Sequence, residues 1–292
     1  MNHSMINASV TMNNLQRKID VISNNIANMD TIGYKKQQAS FEDLLTITKQ
    51  QYAAGELPGR LTPGGHVIGS GARLSQLQSD FAQGSVLMTN NTFDLAIEGD
   101  AFFEVGRSQV DGNGNVTYTP AWTRSGAFGL SLLPGDPENS RLVTAEGAPV
   151  YGVNGEPIII PNGRAITIDA QGRILASLAD NPSAPPEQVA QLRLVQAVRP
   201  QLLISHGENM FILPEQYAAP EQRDALMQQL DLAAYTVDNA PVQIRQGALE
   251  GSNVDLTTEM TELIQMQRAF QFNARAITSA EMMMNLTNNL RG

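Results

Sequence analysis

Apolar residues near the start of the chain recur every seven positions, at Met5, Met12, Ile19 and Ile26, and Ala8, Leu15, Ile22 and Met29 follow each of them three positions later. Polar Asn, Gln, Lys and Asp occupy the positions between. This is an a/d heptad seam, and it predicts a helix from about Ser4 to Met29 with Gly33 as its stop signal. The far end repeats the pattern. Leu256, Leu263, Phe270, Ile277 and Met284 stand at sevens, with Met266, Asn273, Ala280 and Thr287 three positions after the later members. Ser252 followed by Asp255 resembles a capping box, Glu259 and Glu262 lie near the start, and Arg268, Arg275 and Arg291 come later, as the helix dipole prefers. A helix of roughly 35 residues at this end would run about 50 Å.

Between the helices the period changes. Short apolar runs, separated by Gly, Pro, Asn and Asp at intervals of roughly ten residues, predict strands. They include Phe93 to Ile97, Ala101 to Val105, Val116 to Thr119, Ala148 to Val153, Ile158 to Ile160, Ala165 to Ile168 and Leu192 to Val198. Turns are expected at Asp111 to Asn115, Pro134 to Pro137, Asn154-Gly155 and Asn162-Gly163. Surface loops are expected at Asn181 to Glu187 and Glu215 to Gln222, and a short helix within Gln222 to Ala233. The stretch from Tyr34 to Leu74, with weak periodicity and Gly and Pro residues, reads as an extended connector. The expected fold class is α+β: a β-rich central domain inserted between N- and C-terminal heptad helices that pair into a coiled-coil-like assembly domain. The expected divisions are residues 1–33 (assembly helix), 34–75 (connector), 76–242 (β-rich domain) and 243–292 (second assembly helix).

Two helices sharing one seam leave apolar residues over. Met260, Met282, Met283, Leu286 and Leu290 fall off the main stripe of the C-terminal helix, so a single partner helix does not cover them. Contacts between unlike patches of successive subunits build helical filaments when they do not close into a ring. The expected subunit-interface residues are Met5, Met12, Leu15, Ile19, Ile22, Ile26, Met29, Leu256, Leu263, Met266, Phe270, Ile277 and Met284.

Composition narrows the function classes. A formal net charge of −10 opposes general nucleic-acid binding, which needs a basic face to displace counterions from phosphates. All four lysines (Lys18, Lys35, Lys36 and Lys49) precede residue 50, and the chain has no cysteine, which removes disulfides and thiolate chemistry. No apolar run reaches the roughly 20 residues of a membrane span, and no signal peptide is expected from the polar start Asn2, His3, Ser4.

Catalytic and metal signatures are sparse. The histidines, His3, His66 and His206, show no HExxH spacing. Asp111, Asn113 and Asn115 imitate the opening of a calcium loop, but Val116 stands where Gly is required and Trp122 where Glu is required, so a hairpin turn is expected there. No Walker A, dinucleotide or GxSxG fingerprint occurs. No catalytic, metal or cofactor site is expected. Paired carboxylates among 29 acidic residues leave a secreted wall-acting hydrolase open, and an adhesin-like binding module built on the β domain is a further alternative. Trp122, the one tryptophan, reads as a packing residue.

Several segments carry a family resemblance. Ser23-Asn24-Asn25-Ile26-Ala27-Asn28 with Thr31, Gly33, Tyr34 and Lys35 resembles the N-terminal signature of flagellar rod and hook proteins. Phe93 to Gly99 with Phe102-Phe103, then Thr123-Arg124-Ser125-Gly126-Ala127-Phe128 and Leu142-Val143-Thr144 with Gly147, resembles that family's middle. Gln246 to Glu250, Ser252 to Leu256, Glu259-Met260, Leu263-Ile264 and Gln267 to Phe270 resemble its closing signature. The order is correct along the whole chain, and the likeness is nearest to the distal rod type. A Gly-Asp-Pro-Glu-Asn insertion after Pro134 and the loop Pro182 to Glu187 depart from the pattern. The resemblance implies a structural protein of the bacterial flagellar basal body, outside the cytoplasm, exported unfolded through the flagellar type III apparatus. It further implies self-association into a hollow torque-transmitting tube, with other rod and hook subunits as partners and neither nucleic acid nor membrane insertion involved.

Overall fold

The computed structural model describes residues 2–43, 47–49, 66–68, 72–110, 116–133, 135–178, 186–217, 219–230, 232 and 242–290. In chain order, helix α1 (Asn2–Ala27) is followed by strands β1 (Gln37–Asp43), β2 (Ile47–Lys49), β3 (His66–Ile68) and β4 (Ala72–Ser79). Next come β5 (Val86–Met88), β6 (Leu95–Glu98), β7 (Phe102–Val110), β8 (Val116–Thr123), β9 (Phe128–Leu133) and β10 (Asp136–Thr144). Then follow β11 (Ile159–Pro161), β12 (Arg164–Ile168), β13 (Arg173–Leu178), β14 (Glu187–Gln191) and β15 (Leu194–Ala197). Strands β16 (Ile204–Gly207) and β17 (Met210–Ile212) precede a short helix α2 (Pro220–Leu226) and β18 (Met227–Leu230). Strands β19 (Gln243–Gln246) and β20 (Ala248–Glu250) lead into the long helix α3 (Leu256–Asn289). The fold is α+β with a β-rich middle.

The chain divides into two compact units. The first holds 1–27, 37–78 and 255–292, and the second holds 28–36 and 79–254. In the first unit α1 and α3 lie against each other, β1 pairs with β4, and β2 pairs antiparallel with β3. Paired strands therefore occupy part of the span expected as a connector. Ser75 to Gln78 of β4 are all exposed, and a strand stretch without a buried face carries no period-2 signal.

The helix ends also differ from expectation. Helix α1 stops at Ala27, before Met29, because Asn28 closes a turn with Thr31: the Thr31 N–H donates to the Asn28 carbonyl at 3.2 Å and the two side chains bond at 3.2 Å. The cap of α3 is Asp255, not Ser252. The Asp255 carboxylate accepts the Thr257 N–H at 3.1 Å and the Thr258 hydroxyl at 2.6 Å, which satisfies a backbone donor that the first turn leaves without a partner.

The second unit is built on a six-stranded sheet of order β16-β17-β8-β7-β15-β18. Successive residues of β7 point to opposite faces, and the adjacent Phe102 and Phe103 seed two different cores. Phe103 packs with Leu95, Ile97, Val105, Leu142, Ile158, Ile174 and Leu194, and meets Phe128 edge-on at 5.0 Å. Phe102 packs with Trp122, Val195, Leu203, Phe211 and Met227, so Trp122 is the packing residue expected of it. Smaller sheets β11-β10-β9, β12-β13-β14, β19-β6 and β20-β5 complete the unit. Ala148 to Val153 forms isolated bridges, such as Val150 to Val105 and Gly152 to Leu192, where a strand was expected. The short helix begins at Pro220, earlier than expected, and gives way to β18 at Met227. The turn at Asp111 to Asn115 and residues 181–185 of the expected loop lie outside the described residues.

Candidate assembly site

The heptad positions take graded places in the α1/α3 pair. On α1, Met5, Met12, Leu15, Ile19 and Ile26 are half-buried, and Ile22 is buried. On α3, Leu263, Met266, Phe270, Ile277 and Met284 are half-buried. Leu256, at the first residue of the helix, is exposed, and Met29 lies past the end of α1 in the second unit, half-buried.

Polar residues fix the pair at one end. Asn25, buried on α1, acts as a backbone mimic: its amide donates to the Gln37 carbonyl at 3.0 Å and its oxygen accepts the Gln37 N–H at 2.9 Å. The same amide reaches the Glu259 carboxylate on α3 at 3.2 Å. A polar contact inside an apolar seam ties the helices to one register, since any slip strands a buried polar group. Lys18 and Glu262 add an ion pair at 3.6 Å. From the sequence, Glu259 reads as an acidic residue suited to the helix start and as part of the closing signature, not as a seam residue. The missed signal was its position, four residues before Leu263 and seven before Met266, on the seam itself.

The opposite face of α3 is apolar as well. At 3.6 residues per turn, Met260, Ile264, Phe272, Met282, Met283, Leu286 and Leu290 gather on the side of the helix away from the seam, and all are exposed, Phe272 at 71% and Leu290 at 89%. The outward positions of α1 are mostly polar: Ser9, Asn13, Gln16, Arg17, Asp20, Ser23 and Asn24 are exposed. The two helices thus differ. One has a single apolar face and the other has two.

The second unit contains a buried ion cluster that the sequence did not announce as a site. Glu250, at the end of β20, is 0% exposed. One carboxylate oxygen accepts the Lys35 ammonium at 2.7 Å and the Gly84 N–H at 2.9 Å, and the other accepts Arg124 at 3.1 Å. Lys35 also donates to the Ala82 carbonyl at 2.8 Å. Burial holds the Lys35 pKa below the usual lysine value, with Glu250 opposing that shift and Arg124 adding to it. The Arg124 guanidinium lies 5.2 Å from the Phe102 ring centre, a cation–π geometry. Two glycines allow the segments to come this close. Gly33 sits at φ +70° with its N–H on the Glu250 carbonyl at 2.8 Å, and a Cβ there would stand 2.5 Å from the Ser125 nitrogen. A Cβ on Gly126 would stand 1.7 Å from the Leu95 carbonyl oxygen.

Three family descriptions match the chain in order: "Flagella basal body rod protein" over residues 5–35, "Flagellar hook protein FlgE/F/G D1 domain" over 96–176, and "Flagellar basal body rod FlgEFG protein C-terminal" over 245–290. Among similar curated proteins, the flagellar hook-basal body complex protein FlhP of Bacillus subtilis (strain 168) is 34% identical over 299 residues, covering 100% of both chains. The flagellar basal-body rod protein FlgG of Borreliella burgdorferi is 31% identical over 294 residues, covering 100% of this chain and 99% of its own. The FlgG of Bacillus subtilis is 31% identical over 284 residues, covering 96% of each.

The chain belongs to the flagellar basal-body rod family. Within it the likeness is to the distal rod type, and the chain is a structural rod subunit, not an enzyme. The hydrolase and adhesin readings gain no support from these likenesses. The rod family's three matched regions are the segments joined by the buried cluster: Lys35 lies in the first, Arg124 in the second and Glu250 in the third. What reads in the sequence as three separate rod signatures is, in space, one set of interlocking contacts.

Proposed function

We propose that this rod subunit polymerises through its end helices into a hollow axial tube that transmits torque. In this reading it is exported unfolded through the flagellar type III apparatus, takes its place in the extracytoplasmic part of the basal body, and meets other rod and hook subunits above and below. The observation that carries the reading is the second apolar face of α3. An exposed stripe containing Phe272, Met282, Met283, Leu286 and Leu290 is larger than scattered surface apolar residues and marks an interaction surface. In this assignment the residues from Met5 to Ile26 and from Leu263 to Met284 on the seam serve the α1/α3 pair, and the outer stripe serves neighbouring subunits. Contact between a stripe on one copy and a different patch on the next extends without closing, which suits a tube. No helix among the described residues is long and apolar enough to cross a membrane, so neighbouring protein is the cover proposed for the stripe.

The test is sedimentation of the purified full-length chain over a concentration series, alongside Phe272→Ser/Leu286→Ser. The wild type should form large assemblies above a threshold concentration. The double variant should stay monomeric with unchanged circular dichroism. Equal assembly of the two proteins would refute the outer stripe as the polymerisation surface.

A further inference from the structure

The buried cluster is unusual in its charge count and in its reach along the chain. It holds two cations, Lys35 and Arg124, against one fully buried carboxylate, Glu250; Asp100, 4.0 Å from Arg124, has a side chain 87% exposed, and Asp80 acts on Lys35 more weakly than Glu250 does. Glu250 follows Arg124 by 126 residues and Lys35 by 215. Without it the two cations would be buried together with no buried counter-charge, a condition strongly disfavoured in a low-dielectric interior. The same residue anchors two backbone segments, 28–36 and 82–88. Its carbonyl takes the Gly33 N–H, its carboxylate takes the Gly84 N–H, and β20 pairs with β5 in register Glu250 to Val86. Immediately before it, β19 pairs with β6, opposing Gln243 to Glu98 and Gln246 to Leu95. Immediately after it, the Asn253 side chain accepts the Lys36 N–H at 2.7 Å and donates to the Asp80 carbonyl at 2.8 Å.

We infer that Glu250 is the latch of the β-rich unit, so that the N-terminal stem at residues 28–36 and the segment 82–88 stay undocked until residues 243–254 have arrived. A chain that emerges N-terminus first, from a ribosome or through a channel, cannot close this unit early. The stem also meets the 80–82 segment, where the Lys35 ammonium donates to the Ala82 carbonyl and the Lys36 carbonyl accepts the Asp80 N–H, but the buried carboxylate for its ammonium, the acceptor of the Gly33 N–H and the Asn253 contact lie on a segment that comes more than 200 residues later. The device delays stable folding of an otherwise large β unit until nearly all of it has passed. Its use in export rests on the function proposed above; the latch itself is a property of the isolated chain.

Pulsed hydrogen exchange during refolding of the full-length wild type tests the order. Residues 28–36, 82–88 and 243–254 should gain protection in one step. Protection of 28–36 or 82–88 in a step before 243–254 would overturn the latch. At equilibrium, Glu250→Gln should speed exchange in 28–36 and 82–88 on the order of 100-fold, because it removes the buried negative charge that both cations share. Lys35→Met, which leaves the Glu250 to Arg124 pair intact, should speed it less than about tenfold. Equal effects, the reverse order, or failure of Lys35→Met to fold would each overturn the assignment, and the comparison stands on Lys35→Met and the refolding order if Glu250→Gln does not fold. Loss of assembly in sedimentation with these exchange patterns intact would count against the tube and not against the latch.

Discussion

The β-rich unit and the helical unit bury their apolar residues to very different degrees. In the former, Leu95, Ile97, Phe103, Val105, Leu142, Ile174 and Leu194 are all essentially removed from water. In the latter, the described apolar residues that reach full burial are Val21 and Ile22, near the end of α1. A core that is complete within one chain needs no partner, whereas a helix pair with a half-covered seam and a bare second apolar face leaves apolar surface for the association proposed above. The difference separates the source of stability from the proposed polymerisation surface, and substitutions in each unit should tell them apart.

The largest effect is expected at Phe103. Truncation to Ala removes an aromatic side chain packed on all sides and its edge contact with Phe128, and should cost about 3–5 kcal/mol, read as a lower urea midpoint by Trp122 fluorescence. An intermediate effect is expected at Asn25. Replacement by Ala leaves the Gln37 backbone groups without their partner, at a cost of about 1–3 kcal/mol that should appear in the helical circular-dichroism signal and leave Trp122 fluorescence unchanged. If Asn25→Ala instead shifted both signals together, the two units would unfold as one and the contrast between them would fail.

A smaller effect tests the polar side of the β core. Glu104 is buried beside Arg193 at 3.1 Å, and burial raises its carboxyl pKa above the usual glutamate value, with Arg193 and Arg223 opposing. The folded chain therefore holds this proton more tightly than the unfolded chain does. Stability from this group is greatest below the ordinary glutamate value and declines as pH rises through the raised one. Glu104→Gln should flatten that decline and leave stability at pH 7 equal or slightly higher, by less than about 1 kcal/mol. A loss of stability at pH 7 would mean that the ion pair outweighs its desolvation.

The legible part of this molecule was periodic. Seven-residue spacing marked both helices, and short apolar runs marked most strands, because each pattern records a face in contact with something. Strand β4 was not legible, since Ser75, Gln76, Gln78 and exposed Leu77 record no such face. The cap of α3 was misplaced by three residues because Ser252 and Asp255 are both able capping residues, and only the backbone path decides between them. The ion cluster was invisible for a different reason. Lys35, Arg124 and Glu250 sit in three recognisable signatures, but a single sequence does not reveal that residues so far apart share a buried site.

Asn253 has one more consequence. By bonding the Lys36 N–H and the Asp80 and Ala82 carbonyls, it brings three separate passages of the chain to one doorway of the β-rich unit. The stretch from Asp80 to Asn253, whose two ends are bonded to each other, is a cassette. Its outer hairpins, such as that between β9 and β10 where Asp136 bonds Glu138 and Asn139, lie away in sequence from the residues that meet at Asn253. Exchange of the whole cassette for a foreign domain whose ends lie equally close would give a chimaeric subunit with its helix sequences unaltered.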